Sequence, residues 1–378
     1  MNSGPSVNPA AADCLLSWLR EDDPDRLARL WERADEVRRE EVGDAVHLRG
    51  LIEFSNHCIR QCAYCGLRAG NRSLVIRYRM EQEEIVAVVR KAADYAYGTV
   101  VLQAGEDPLI TADWMAALVR RIKRETPLAV TLSLGERSIQ DFAAWRQARA
   151  DRYLLRFETS DRVLYRTVHP NLGGRRSNRI ADLRKLRRLG YEIGSGIMVG
   201  LPGQTYRSVA QDILLFRQLD LDMIGIGPFI PHPDTPLGSA PPGLPTGEQV
   251  PNTEEMVYKV IALARLACPE ANIPSTTALA TINISSGRER GLQCGANVVM
   301  PNLTPMPYRR FYEIYPGKAC LQETGEACNG CLRARLAAIG RYPGLGQGGR
   351  QRLRAPAGAA RCVQEELVTL AQRGGQCE

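Results

Sequence analysis

The stretch VHLRGLIEFSNHCIRQCAYC, residues 46–65, joins an apolar run to a loop of cysteines. Residues 46–54 are predicted to form a β-strand because β-branched and other hydrophobic residues dominate them. Cys58, Cys62 and Cys65 follow directly, with three and then two residues between them. Loops that follow parallel strands lie at the carboxyl end of a sheet, where α/β proteins bind ligands. The stretch therefore indicates a strand that brings three thiols to a functional site.

Similar short apolar runs recur along the chain and alternate with amphipathic stretches, which is typical of β-α units around a parallel sheet. The eight strand candidates are residues 46–54, 99–103, 129–134, 152–157, 193–199, 223–226, 272–277 and 296–300. Eight units in about 255 residues match the usual size of a closed barrel. The predicted fold is therefore α/β, a (β/α)8 TIM-type barrel, and the alternative is an open doubly wound sheet.

The regions that flank the barrel differ from it in pattern. Residues 1–45 are predicted to be helical, because apolar side chains recur there at helical spacing. Residues 46–300 are assigned to the barrel. Residues 301–352 begin rich in proline and tyrosine and are expected to cover it, and residues 353–378 are expected to be a loosely ordered tail.

Composition excludes several classes of protein. The chain has 378 residues, 44% of them hydrophobic, and eleven cysteines, which excludes wholesale disorder and a disulfide-built scaffold. No run approaches the roughly 18–20 apolar residues of a membrane span, and residues 1–12 do not resemble a secretory signal, so a cytoplasmic protein is expected. The net charge of +7 is weak evidence for an anionic ligand.

Two basic segments, residues 174–177 and 184–188, are interpreted as solvated charge. Nucleic-acid-binding stripes interleave basic residues with aromatic ones, and these segments do not. Neither a nucleic acid nor a membrane is therefore expected as a partner.

Three thiols on one tight loop can ligate three irons of a [4Fe-4S] cube and leave the fourth iron open to a small molecule. A structural zinc ion is the alternative, but zinc prefers four ligands. His57 directly abuts Cys58, which is a poor geometry for two ligands of one ion. The loop therefore predicts an open iron-sulfur site.

This loop, with an aromatic residue before its last cysteine, resembles that of the radical S-adenosylmethionine (SAM) superfamily. The likeness to the HydE-type [FeFe]-hydrogenase maturases, in the biotin synthase-like branch, extends over about residues 13–352. It is carried by VHLRGLIEFSN (46–56), YCGLR (64–68), VLQAGED (101–107), VTLSLGE (130–136) and GIGPFIPHPDT (225–235). The resemblance implies a [4Fe-4S] cluster on Cys58, Cys62 and Cys65 that cleaves SAM reductively to a 5′-deoxyadenosyl radical.

The resemblance also implies a set of SAM contacts. Ala104-Gly105-Glu106 is similar to a glycine-glycine-glutamate motif, with alanine in place of its first glycine, and GIMVGLPG (196–203) is similar to an adenine-contacting segment. The expected cofactor contacts are Tyr64, Gln103, Gly105, Glu106, Ser133, Glu158, Arg179 and Met198. Arg179 is expected to pair with the SAM carboxylate. For Glu158 and Arg179, a structural ion pair is the alternative.

Polar residues on predicted strands mark a substrate cavity, because core positions are ordinarily apolar. Arg152 and Arg156 are four residues apart, hence on one face of a strand, and two buried arginines imply an anionic ligand. The resemblance implies substrate contacts at Thr131, Arg152, Arg156, Thr276 and Thr277, with Arg156 and Tyr312 as catalytic residues. Phe157 stands where the maturases usually carry histidine, so the substrate could differ.

Other cysteines and histidines give weaker indications. Cys320, Cys328 and Cys331 could hold an accessory iron-sulfur cluster or zinc, or remain free thiols. The remaining five cysteines are interpreted as core or tail thiols. His232 is expected either to touch substrate or to cap a turn, and His169 to lie in a solvated loop.

The resemblance implies a function in assembling the [FeFe]-hydrogenase active site, by processing an iron-cysteine species that carries carbon monoxide and cyanide. The implied partners are a tyrosine-cleaving radical SAM maturase, a scaffold GTPase and an electron donor such as ferredoxin or flavodoxin. Two alternatives stay open. One is a radical SAM mutase or sulfur-inserting enzyme similar to methylornithine synthase or biotin synthase. The other is a non-enzymatic iron-sulfur electron carrier.

Overall fold

The computed structural model describes residues 9–71, 75–173, 176–239, 247–321 and 325–351, without the side chains of residues 9, 327 and 328. Its strands are β1 (Ala45–Ser55), β2 (Thr99–Ala104), β3 (Ala129–Ser133), β4 (Arg152–Leu154), β5 (Glu192–Val199), β6 (Met223–Pro228), β7 (Val298–Val299) and β8 (Tyr342–Pro343). Its first seven helices are α1 (Pro9–Arg20), α2 (Pro24–Val42), α3 (Gln82–Asp94), α4 (Ala112–Glu125), α5 (Ile139–Gln147), α6 (Arg162–Val168) and α7 (Arg179–Arg188). The others are α8 (Tyr206–Gln218), α9 (Pro236–Ser239), α10 (Glu254–Ala267), α11 (Thr277–Ile282), α12 (Gly287–Gln293), α13 (Met306–Arg309) and α14 (Gly325–Ala338). The expected tail, residues 353–378, lies outside the described residues.

Strands β1 to β6 are parallel neighbours in chain order, and β7 flanks β1 on its other side. All pairs are parallel, and a helix follows each of β2 to β6. This is the predicted β-α alternation, so the α/β barrel prediction is confirmed. The predicted fourth strand is shorter than expected, since regular pairing stops at Leu154 instead of residue 157.

The seventh predicted strand, residues 272–277, is wrong as a regular strand. Asn272 and Ser275 make single bridges to β6, and Pro274 makes one to β7, so this segment completes the ring between those strands. A regular ladder does not form because proline has no N–H to donate. Thr276 is instead the N-cap of α11, and Thr277 is the first residue of that helix.

Side chains alternate between the two faces of each strand. Outward residues such as Ile52, Leu102 and Leu132 pack in the main hydrophobic core with the surrounding helices. The opposite positions, including Glu53 and Gln103, therefore face the lumen of the barrel. This alternation explains why polar residues occur within otherwise apolar strands.

The C-terminal segment covers both ends of the barrel. Residues 301–321 lie over the carboxyl end, where Leu303 pairs with Leu51 of β1. After α14 the chain returns to the amino end, and β8 pairs with Ala45 and Val46 of β1. A Cβ on Gly98 would lie 1.5 Å from the carbonyl oxygen of Gly346, so the chain there passes directly against β2. Within the described ranges, no helix has the length and hydropathy to cross a membrane.

Candidate active site

The loop after β1 carries the three cysteines and is fixed by backbone hydrogen bonds to three neighbouring segments. Its N–H groups donate from Ile59 to Glu106, from Ala63 to Val168 and from Gly66 to Ile314, at 3.1, 2.9 and 3.1 Å. The acceptors follow β2, end α6 and belong to the C-terminal segment. The loop is therefore held from both sides of the carboxyl end of the barrel.

Glycine is required where β2 meets this loop. A Cβ on Gly105 would lie 2.3 Å from the carbonyl oxygen of His57 and 2.8 Å from Cβ of Cys58. Ala104, which stands in place of the motif's first glycine, is not among the described residues with positive φ. Alanine is therefore accommodated at position 104, whereas a side chain at 105 would displace the cysteine loop.

The three thiols are free, and burial raises the pKa of each, that of Cys65 to about 12. Such thiols lose a proton when they bind iron. In the part of the chain that is described, the only group of three metal-ligating side chains within 4.8 Å of one another is Glu106, Glu136 and His169. The thiols are thus spaced more widely than ligands of one zinc ion, with Zn–S bonds of about 2.3 Å, would be. This spacing fits a cluster and disfavours the zinc alternative.

A buried network of four ion pairs lies beside the loop. Arg60, between the first two cysteines, contacts Glu106 at 2.5 Å and Glu136 at 3.0 Å. Arg179 contacts the same two carboxylates at 3.4 and 3.2 Å. Two guanidinium groups and two carboxylates therefore neutralise one another and tie the cysteine loop to the ends of β2 and β3 and to the start of α7.

Arg179 was expected to pair with the SAM carboxylate, and in this structure each of its three side-chain nitrogens has a protein partner. Nε and Nη2 bind the carboxylates, Nη2 also contacts Nε2 of His169 at 2.5 Å, and Nη1 donates to the carbonyl of Arg156 at 2.7 Å. Arg179 therefore holds the loops of the site, as the structural alternative predicts. One N–H of Nη1 has no acceptor among the described residues, so the contact with SAM stays a prediction.

His169 was expected in a solvated loop, and this is wrong, since it is 1% exposed. Burial, and then Arg179 and Arg60, lower its pKa to about 2, so the ring is neutral. Because a guanidinium only donates, Nε2 accepts and the ring proton lies on Nδ1. Sequence reasoning missed Arg60, Glu136 and His169, and only the position of Arg60 within the cysteine loop was a usable signal.

Arg156 and Glu158 form a forked ion pair that faces the lumen. Nε of Arg156 lies 3.1 Å from both carboxylate oxygens of Glu158, and Nη2 lies 3.0 Å from one of them and 2.6 Å from the carbonyl of Ile197. Glu158 has φ of +63°, a left-handed conformation that is unfavourable for glutamate. Such strain persists where the surroundings enforce it and is concentrated at functional sites.

The middle of the lumen lies between Thr131 and the glycines of β5 and β6. Thr131 is 1% exposed, and its hydroxyl is among the described buried groups without a hydrogen-bond partner. A Cβ on Gly227 would lie 3.1 Å from Oγ1 of Thr276. The Thr131 hydroxyl is therefore an unfilled hydrogen-bonding group on the lumen side of β3, and Thr276 approaches β6 from the cap of α11.

The C-terminal segment inserts Tyr312 and Lys318 into the upper lumen. Lys318 forms a buried ion pair with Glu53 and lies 5.3 Å from the centre of the Tyr312 ring. Burial raises the pKa of Tyr312 well above its ordinary value, the Glu53 carboxylate raises it further, and a hydrogen bond with Gln103 opposes the rise. Tyr312 therefore carries its proton. The ion pair of Glu53 and Lys318 was missed from the sequence.

Arg152 is not part of this group, contrary to expectation. It lies near the amino end of the barrel, where it pairs with Glu192 and donates to the Thr99 hydroxyl at 2.9 Å and to the carbonyl of Gln347 at 3.0 Å. Arg152 and Arg156 do point to the same face, as predicted. However, a spacing of four residues places them about 13 Å apart along the strand direction.

The remaining predicted contacts are distributed around the lumen. Ser133 ends β3 beside Gln103, and Tyr64 and Met198 pack on the small apolar cluster around Ala63. Phe157, in contrast, points outward and lies 5.9 Å from the ring of Phe216. An aromatic ring at 157 therefore fills the interface between barrel and helix, and its direction explains why it makes no polar contact.

The weaker candidates from the sequence were His232 and the second cysteine group, which consists of Cys320, Cys328 and Cys331. Nδ1 of His232 accepts from the N–H of Asp234 at 3.2 Å, so the histidine caps its turn. The Cys320 thiol lies 3.8 Å from Nη2 of Arg288, and Cys331 is exposed on α14. The side chain of Cys328 lies outside the described residues, so the accessory cluster stays a prediction.

Comparison with known proteins agrees with this geometry. Residues 52–216 match the radical SAM superfamily. The chain is 48% identical over 324 residues to the [FeFe] hydrogenase maturase subunit HydE of Thermotoga maritima, over 86% of this chain and 89% of that protein. It is 29% identical over 289 residues to the 3-methylornithine synthase of Methanosarcina acetivorans, over 76% and 78% of the two chains.

Solved structures share the fold. The crystal structure of methylornithine synthase (PylB) superposes with a TM-score of 0.72 at 24% identity, over 88% of this chain and 94% of the other. That of HydG, a maturase of the [FeFe]-hydrogenase, gives 0.70 at 17% identity, over 89% and 76%. The chain is therefore a radical SAM enzyme and belongs to the family of HydE-type [FeFe]-hydrogenase maturases.

Proposed function

We propose that this enzyme takes part in assembling the active site of [FeFe]-hydrogenase. The observation that carries the proposal is the loop of Cys58, Cys62 and Cys65, whose thiols are spaced too widely for a single ion and lie at the mouth of a polar lumen. The 48% identical relative is named as such a maturase. A [4Fe-4S] cluster on these thiols supplies the electron for reductive cleavage of SAM to a 5′-deoxyadenosyl radical.

The chain's own residues would bind and orient SAM. The backbone of Gly105 and Glu106 adjoins the cysteine loop, and Gln103 and Ser133 end the neighbouring strands. The other proposed SAM contacts are Tyr64, Glu158 and Met198. The closed wall of the barrel excludes water, which protects a reactive radical from side reactions.

The proposed substrate is an iron-cysteine species with carbon monoxide and cyanide ligands. Its carboxylate would bind Nη1 of Arg156, the guanidinium nitrogen without an acceptor among the described residues, while Glu158 holds Nε and Nη2 in place. The hydroxyls of Thr131 and Thr276 offer further hydrogen bonds, and Thr277 starts the adjoining helix. Tyr312, which is protonated, could donate to the substrate from the C-terminal segment.

The proposed partners are a tyrosine-cleaving radical SAM maturase that supplies this species, a scaffold GTPase that receives the product, and a ferredoxin or flavodoxin that donates electrons. A cytoplasmic location is proposed because iron binding requires reduced thiols. An accessory cluster on Cys320, Cys328 and Cys331 is a further proposal, and substitution of Cys320 by serine should leave SAM cleavage intact.

SAM cleavage tests the first part of the proposal. The protein is reconstituted anaerobically with iron and sulfide and incubated with SAM and dithionite, and 5′-deoxyadenosine is measured by chromatography. The wild type should form it, and Cys62→Ala should abolish it because one of three cluster ligands is lost. Cys294→Ala, at a buried thiol far from the loop, is the matched control and should retain cleavage.

Maturation tests the second part. The chain is co-expressed with the other maturases and apo-hydrogenase in a host that lacks its own HydE, and hydrogen production is measured. Restored production supports the proposal. Cleavage of SAM without restored production would favour an organic substrate, as for 3-methylornithine synthase, and absence of cleavage would favour an electron carrier.

A further inference from the structure

A basic recess of about 590 Å³ opens between α6, α7 and the loop that joins them. Four exposed arginines border it, Arg162 and Arg166 on α6, Arg176 before α7 and Arg184 on α7. Among the described residues that line it, none is acidic. The recess therefore concentrates positive charge around one opening.

The four arginines of the recess form no ion pair within the described part of the chain. Several other exposed arginines, such as Arg188 and Arg207, also lack one, but here four such guanidinium groups gather around a single opening. Unpaired guanidinium groups around one opening create a positive potential that attracts an anionic surface.

The recess lies directly behind the cysteine loop. The outer side of α6 carries Arg162 and Arg166, while Leu164 and Val168 on its inner side pack against Ala63 of that loop. A single helix thus separates the positive surface from the thiols. A partner seated on this surface would approach the cluster site more closely than one bound on the far side of the barrel.

We propose that this recess is the docking surface for an acidic protein that donates single electrons to the enzyme. The proposal rests on the proposed function, in which each SAM cleavage consumes one electron. The donor is oxidised by one electron and the iron-sulfur cluster is reduced by one, and no covalent bond forms or breaks in that transfer. Complementary charge of this kind raises the association rate and orients the encounter.

Binding is measured first, by calorimetry with an acidic flavodoxin as the probe. The double variant Arg162→Glu, Arg166→Glu should bind it about tenfold or more weakly than the wild type at low ionic strength, and added salt should weaken wild-type binding. The matched control Arg120→Glu, Arg124→Glu adds the same charge on α4, at two exposed arginines away from the recess. Equal binding by both variants would overturn the proposal, as would binding of inorganic phosphate but not flavodoxin.

SAM cleavage by the reconstituted enzyme is then measured with two reductants. The recess variant should lose most of its flavodoxin-driven cleavage and keep its dithionite-driven cleavage, because a small reductant needs no docking surface. Loss with both reductants would overturn the proposal, since the recess would then act on the site itself. A wild type that fails with dithionite contradicts the proposed function instead, and the binding measurement still decides whether the recess docks the donor.

Discussion

Each end of the barrel carries an arginine from the same strand region, and the two differ in how far the chain itself fills their bonding capacity. Arg152 and Arg156 lie on the same face of the same strand region. The Arg152 side chain is 3% exposed and that of Arg156 is 28% exposed. The chain itself, through Gln347, supplies an acceptor for Arg152, whereas Nη1 of Arg156 has no acceptor among the described residues.

The amino end is closed by the returning C-terminal segment. Arg49 donates to the carbonyl of Gly348 at 3.0 Å, and Thr99 donates to that of Gln347 at 2.8 Å. These backbone acceptors stabilise buried polar side chains without a ligand. The difference teaches that a buried arginine marks a binding site only where the protein leaves some of its bonding capacity unfilled.

The largest expected effect is at Arg156. Arg156→Ala should reduce hydrogen production in the co-expression assay by about 100-fold or more, because it removes the charged donor to the substrate carboxylate. Arg156→Lys should be intermediate, since it keeps the charge but not the planar fork. The measurement is hydrogen production per amount of folded maturase.

SAM cleavage without substrate provides the control for Arg156. Both variants should still form 5′-deoxyadenosine with dithionite, because the cysteine loop is held by Arg60 rather than by Arg156. Full hydrogen production by Arg156→Ala would contradict the assignment of this residue to the substrate.

Arg152 should affect stability instead of turnover. Arg152→Met leaves the Glu192 carboxylate and the Thr99 hydroxyl without their donor, and breaking a buried pair in this way costs about 3 kcal/mol. Urea unfolding measures this loss. The double variant Arg152→Met, Glu192→Gln removes the unpaired charge and should recover part of it. A folded Arg152→Met protein with normal stability but impaired hydrogen production would show that the amino end takes part in substrate handling.

Features that depend on local interactions were predicted from the sequence, whereas features that depend on contacts between distant segments were not. Strands β1 to β3, β5 and β6 were predicted to within two residues, and the cysteine loop was found, because both are short patterns in the chain. Arg60 and His169 were not connected in advance with Glu136, because their contacts join segments far apart in sequence.

The role of Arg152 depends in the same way on a segment nearly two hundred residues away. Its partner Gln347 lies in a glycine-rich stretch that shows no periodic pattern. The seventh strand was predicted from its β-branched residues, but Pro274 interrupts its ladder and Thr276 caps a helix there. The β-propensity of its residues therefore located this segment of the barrel wall, and a single proline prevents it from forming a regular strand.

The smallest expected effect concerns pH and again distinguishes the two ends. Burial, and then Arg49 and Arg152, lower the pKa of His47 at the amino end to about 4. Because this is below the value of 6.5 in the unfolded chain, the neutral ring contributes stability that is fully present above pH 6.5 and is lost as the pH falls towards 4.

His47→Phe removes this titration. Its free energy of urea unfolding should therefore decrease less than that of the wild type between pH 7 and pH 4.5, by about 2 kcal/mol after allowance for partial exposure. His169 at the carboxyl end titrates in both proteins and cancels in the difference. Parallel pH profiles for the two proteins would mean that His47 reaches solvent, and that the C-terminal segment does not close the amino end as tightly as its contacts with Arg49 and Arg152 indicate.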